Sequence, residues 1–147
     1  MPFVEVFTPQ GAVPADIRAE ISESLVAEVM QAEGAPPESE SARSISWLLW
    51  HEIPEWWVGG ARVDASEPAR YVVRVGVPAG SLDDWKREDI VRRTNAVLAK
   101  ADPDPARFER EPIAWVHVDE IKEGNWGALG RVVRFPDIAA YVLEGRM

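Results

Sequence analysis

The chain repeats itself. Moved along by 68 positions, Trp47 falls on Trp115, Glu52 on Glu120 and Ile53 on Ile121, and the same step puts Phe3 on Tyr71 and Val4 on Val72. In each copy a strand-like run leads through a turn to an amphipathic stretch, a second apolar run and a Trp/Gly-rich turn. A β-α-β crossover makes its two strands parallel and lays the helix on one face. Two such units side by side predict an α/β domain, a four-stranded sheet backed by two helices, and 147 residues suit one domain of that kind.

The elements read as follows. In the first repeat, residues 1–60, Phe3, Glu5 and Phe7 alternate with Val4 and Val6 as a strand. A helix is predicted over 15–33, since Ile17, Ile21, Leu25 and Val29 recur every four residues, with Glu20, Glu23, Glu28 and Glu33 on or near its wet face. Gly34 to Pro37 stops it, residues 38–44 form a polar loop, and Ile45 to Ile53 is the second strand. Residues 61–69 read as a linker. The second repeat, 70–131, holds a strand at 71–77, a helix capped near Ser81 to Asp84 and running to about Lys100, and a strand at 113–121. Trp57 and Trp126 stand in equivalent turns, and residues 132–147 form a C-terminal arm or short hairpin.

Composition removes several functions. Net charge is −9 and concentrated early, with 12 acids against 3 bases in residues 1–69. Such a chain has no electrostatic footprint for a phosphate backbone, so nucleic acid is not an expected partner. Without cysteine there are neither disulfides nor thiolate metal sites, and the two histidines do not suggest any other metal site. No apolar run reaches the roughly 18–20 residues of a membrane span, and the start lacks a signal-peptide pattern, so the expectation is cytoplasmic.

Pro2 carries the chemistry. Met before proline is normally trimmed, which would leave a secondary amine at the head of a strand within the sheet. A free α-amino group titrates at roughly 7.7–8.0. Apolar surroundings lower that value and make the amine a base near neutral pH.

Pro2 heading a strand, the duplicated β-α-β, and Glu120-Ile121, Gly124, Trp126-Gly127 and Gly130 closing a half resemble the tautomerase superfamily. Trp115 to Ile121 with Gly130-Arg131, and Glu52-Ile53-Pro54 with Gly59-Gly60, are similar to the fused, double-length branch that includes cis-3-chloroacrylic acid dehalogenase. The resemblance implies a tautomerase/MIF-like fold, a homotrimer and a cofactor-independent enzyme without metal. Pro2 would act as base, cations would hold a small carboxylate substrate, and Trp126 would make the pocket apolar.

The departures matter as much. Positions where the family has arginine fall at Ala12 and at Trp47 or Trp115, and the dehalogenase arginine pair falls in Pro78 to Ser81. The branch's helix histidine falls near Val29, its water-activating tyrosine at His117 and its acid at Ala128, while Arg131 matches. Candidate catalytic residues are therefore Pro2 and His117. Candidate substrate-binding residues are Arg74, Arg131, Arg70 and Trp126, with Arg70 opposite Pro2 in the repeat. The expected activity is a tautomerase acting on a small 2-oxo or unsaturated carboxylic acid. The alternatives are a hydratase, decarboxylase or weak dehalogenase of a three-carbon acid, or a non-catalytic trimer that binds a ligand or a protein.

Overall fold

The computed structural model describes residues 2–145. Met1, whose removal the proline chemistry requires, and residues 146–147 at the end of the expected arm lie outside the described residues. Strand β1 (Phe3–Pro9) leads through a turn into helix α1 (Ala15–Glu33), a short α2 (Glu40–Ser44) and β2 (Trp47–Ile53). A hairpin of β3 (Trp57–Val58) and β4 (Ala61–Arg62) closes the first half. The second half repeats the order with β5 (Tyr71–Pro78), α3 (Asp84–Ala101), the single turn α4 (Arg107–Arg110), β6 (Ala114–Ile121) and a hairpin of β7 (Gly127–Ala128) and β8 (Arg131–Val132). Helix α5 (Phe135–Glu144) ends the described chain.

The sheet order is β2-β1-β5-β6. Within each half the strands are parallel, and β1 meets β5 antiparallel, with Glu5 opposite Arg74. The expected four-stranded sheet backed by two helices is what forms. Val4 and Val6 of β1 and Val73, Val75 and Val77 of β5 are fully buried on one face, under Ile21, Leu25 and Val29 of α1 and Ile90 and Leu98 of α3. Each such side chain contributes roughly 1.5–3 kcal/mol of burial. Arg93 of α3 ties the helices together, 2.7 Å from Asp89 on its own helix and 2.5 Å from Glu28 of α1. Helix α1 stops at Gly34, whose φ of 89° lets its N–H and that of Ala35 turn back to Gln31 and Met30.

Several expectations are corrected. The step of 68 holds for β2 and β6, where Trp47 and Trp115 both stand on the open face at 63% and 62% exposure. In the central strands the step is one residue longer, because Phe3 pairs with Trp47 whereas Val72 pairs with Trp115. Side chains alternate along a strand, so that one residue decides the face. Phe3 therefore corresponds to Val72, and Pro2 corresponds to buried Tyr71 rather than to Arg70.

The linker is partly strand, since β4 pairs back on β3. In the two hairpins the counterpart of Trp126 is Trp56, not Trp57: their carbonyls accept from Val133 and Val63 respectively, at 2.9 and 2.8 Å. The arm is a hairpin strand followed by a helix that folds back on its own chain. Ser41 Oγ of α2 donates to the Val142 carbonyl at 3.1 Å, and Ser44 Oγ lies 3.1 Å from the Tyr141 hydroxyl. Helix α5 starts cleanly because the Asp137 carboxylate accepts from the Arg134 N–H at 3.0 Å and proline occupies its first turn. Among the described residues no helix is long and apolar enough to cross a membrane.

Candidate active site

Pro2 is buried at the head of β1, one of the two central strands. Its carbonyl accepts the Trp47 N–H at 3.2 Å, which pins the start of β1 to the start of β2. A crossover helix returns to the sheet end where its first strand began, so the last residue of α1, Glu33, comes to this same end. Helix α5 lies across it and separates two cavities, with Ile138 lining both.

One cavity, of 280 Å³, is walled by Phe3, Ile45, Trp47, Trp126 and Ile138. The other, of 260 Å³, is lined by Glu33, Pro78, Ser81 and Lys86 and roofed by the apolar side of α5. Trp126 continues into an outer concavity that Arg131 also lines. The structure thus brings Trp126 to the Pro2 end of the sheet, with Arg131 on the same hairpin. Arg131 is half exposed, with its Nη1 3.9 Å from Asp137 Oδ2.

Three candidates go elsewhere. Arg74 is on the open face, its Nη2 and Nε 3.0 and 3.1 Å from Asp119 Oδ2 and its Nη1 3.9 Å from Glu5. Glu5 in turn meets His51 at 3.1 Å, and His51 stacks on Phe7 with centroids 4.4 Å apart. This is a charge row across four strands. His117 stands exposed beside Arg74 in that row. Both sit about three residues along the sheet from Pro2, roughly 10 Å, and on the opposite face. Arg70 lies beyond the far end of β5, 3.4 Å from Glu67 and roughly 20 Å from Pro2.

Sequence reasoning missed two residues here. Glu33 falls outside the apolar spacing of α1 and so reads as wet, yet its Oε1 is shut off from water. Burial pushes its carboxyl above the usual carboxylate range, and Lys86 pulls the other way. Lys86 has no apolar pattern to mark it. The spacing of Phe135, Ile138 and Val142 is the signal that a helix roofs the site.

The opposite end of the sheet holds a larger concavity of 520 Å³ under the first hairpin, lined by Pro9, Trp56, Arg62 and Asp64. At that end Tyr71 takes the place of Pro2, its hydroxyl pushed up to about 12 by burial and by Asp102, with Arg107 opposing. Among the described residues no cluster of three or more metal-ligating side chains occurs.

No protein-family model matches the sequence, and no curated protein matches it significantly. Solved structures do. A fused 4-OT wild type asymmetric trimer superposes with a TM-score of 0.68 at 21% identity, over 88% of this chain and 94% of that one. Pt0534 inactivated by 2-oxo-3-pentynoate gives 0.69 at 16% identity, over 88% and 94% of the two chains. A member of the cis-3-chloroacrylic acid dehalogenase family gives 0.69 at 15% identity, over 91% and 85%. With the fused sheet, the proline at its central strand and the tryptophan-walled hairpin already described, the chain has the double-length fold of the tautomerase superfamily.

Proposed function

We propose that the protein, once Met1 is removed, is a cofactor-independent tautomerase-like isomerase of a small 2-oxo or unsaturated carboxylic acid, assembled as a homotrimer. The observation that carries this reading is Pro2, buried at the head of a central strand of a tautomerase fold, with two small cavities at the same end of the sheet. The amine takes the enol O–H proton and returns one to carbon, moving the double bond into the carbonyl. Trp126 and Ile138 keep water out, which favours the neutral amine. Lys86, in the 260 Å³ cavity, or Arg131, in the concavity outside the 280 Å³ one, replaces Arg74 as the cation that holds the carboxylate. Exposed Trp47, Leu49 and Trp115 make the open sheet face a surface for neighbouring subunits.

A second reading, the non-catalytic trimer, is favoured by one fact. The arginines Arg70, Arg74 and Arg107 are each already engaged by carboxylates.

The reading is tested with 2-oxo-3-pentynoate. A neutral secondary amine adds to the alkyne carbon remote from the ketone, while its N–H proton passes to the neighbouring carbon. Intact mass and peptide mapping of Met1-free protein should find one adduct, on Pro2, forming faster as pH rises through neutrality. Labelling at lysines only, or none, would refute a neutral Pro2 amine in an accessible pocket.

A further inference from the structure

The spaces at the Pro2 end of the sheet differ in charge. The 260 Å³ cavity holds Glu33 and Lys86, and the outer concavity holds Arg131. The 280 Å³ cavity has no ionisable side chain in its lining. Its side-chain polar atoms are two indole nitrogens, and that of Trp47 already donates to the Ser44 carbonyl at 3.0 Å.

The backbone ties this cavity to Pro2. Phe3 follows Pro2 in the chain and pairs with Trp47 in the β1–β2 register, and the Trp47 N–H donates to the Pro2 carbonyl at 3.2 Å. Two walls of the cavity are thus each one link from the proline. The others arrive from far along the chain. Val133 and Ile138 are buried at 2% and 3% exposure, and the Trp126 carbonyl accepts the Val133 N–H at 2.9 Å. The hollow is framed by β1, β2, the second hairpin and α5 together.

Such a space selects by what it cannot solvate. An apolar cavity of about 150 Å³ is enough to hold a benzene ring. One of 280 Å³ takes a phenyl group or an alkyl chain with room to spare. A carboxylate entering it would lose its water with no cation in the lining to replace it, which is costly.

We propose that this cavity is the specificity pocket of the Pro2 site, and that the substrate is a monocarboxylate with an apolar aryl or alkyl body, diacids being rejected. The inference rests on the Pro2 reading for the reaction and deepens it by naming what the pocket takes. The single carboxylate stays outside the cavity, where Lys86 or Arg131 meets it.

Binding tests the pocket without turnover. The probes are 3-phenylpropanoate, hexanoate and adipate; the last two differ only in a terminal methyl replaced by a carboxylate. Calorimetric titration into Met1-free wild type and into Pro2→Ala should show adipate at least about tenfold weaker than either monoacid. With isoleucine methyls labelled, the bound phenyl protons should give NOEs to Ile45 and Ile138. Ile45→Lys, which supplies the absent cation, should narrow the gap between hexanoate and adipate; the wild-type comparison decides even if that variant fails to fold. Adipate bound as tightly as hexanoate, no saturable binding of 3-phenylpropanoate, or phenyl contacts away from Ile45 and Ile138 overturns the assignment. The predicted preference in a protein without turnover would remove the isomerase reading and leave the pocket standing. Turnover of 2-hydroxymuconate as fast as phenylenolpyruvate would remove the pocket's selectivity and leave the Pro2 reading.

Discussion

Arg107 and Asp102 close a buried salt bridge at the end of the sheet remote from Pro2, 2.6 Å between Nη2 and Oδ2. The Arg107 guanidinium also donates to the Ala69 carbonyl, just before β5 begins. Removing one partner of a buried pair leaves the other uncompensated, at a cost of roughly 3–5 kcal/mol. Asp102→Asn should therefore lower the unfolding free energy by about 3 kcal/mol in urea titrations while any activity per folded molecule stays within about twofold. A variant as stable as wild type would show that the second repeat's end is not held by this pair.

Asp89 gives a prediction in pH. Burial alone would raise its carboxyl, but hydrogen bonds from Arg93 and Arg92 outweigh that and hold it below the usual range. A depressed carboxylate contributes stability that is fully present above its unfolded value, about 3.9, and is lost as pH falls through the folded value. The gap in thermal midpoint between wild type and Asp89→Asn should stay constant from pH 7 to 5 and narrow below about pH 4. A gap that widens on acidification would reverse the assigned direction.

The cations at the two faces should behave differently. Arg74 is 47% exposed in its ion pairs, so Arg74→Met should cost no more than about 1 kcal/mol of stability. It should also leave kcat/KM within about threefold. Lys86→Met, which empties the cavity of its cation, should raise KM at least tenfold with kcat less affected, the signature of lost carboxylate binding. Steady-state kinetics on both variants decide it, and the opposite ranking would return the carboxylate to the open face.

Much of this architecture is legible in the residues, and the failures have physical causes. Helix 15–33 is found with those bounds because its apolar spacing and the Gly34 stop are local signals. The repeat is visible in Trp47 and Trp115, yet a one-residue difference between strands changes no composition and flips every face, so the sequence matches Arg70 to Pro2 where Tyr71 belongs. Glu33 reads as solvated because a helix pattern reports only the face toward the sheet, whereas this carboxyl is covered by α5 from about 100 residues away in the chain, a contact made by tertiary packing. The turn Leu129-Gly130 shows the same limit: Leu129 holds φ 55° where the first hairpin uses Gly59 at 57°. The residue type gives no sign of that backbone.

The central claim is that a processed Pro2 moves the proton. The most direct measurement is enol-to-keto conversion of phenylenolpyruvate and 2-hydroxymuconate by Met1-free wild type and by Pro2→Ala. The account predicts turnover by the wild type and a loss of about a hundredfold or more in the variant, the scale of a positioned general base. Equal rates in the two proteins, or no turnover by the fully processed wild type, would contradict it.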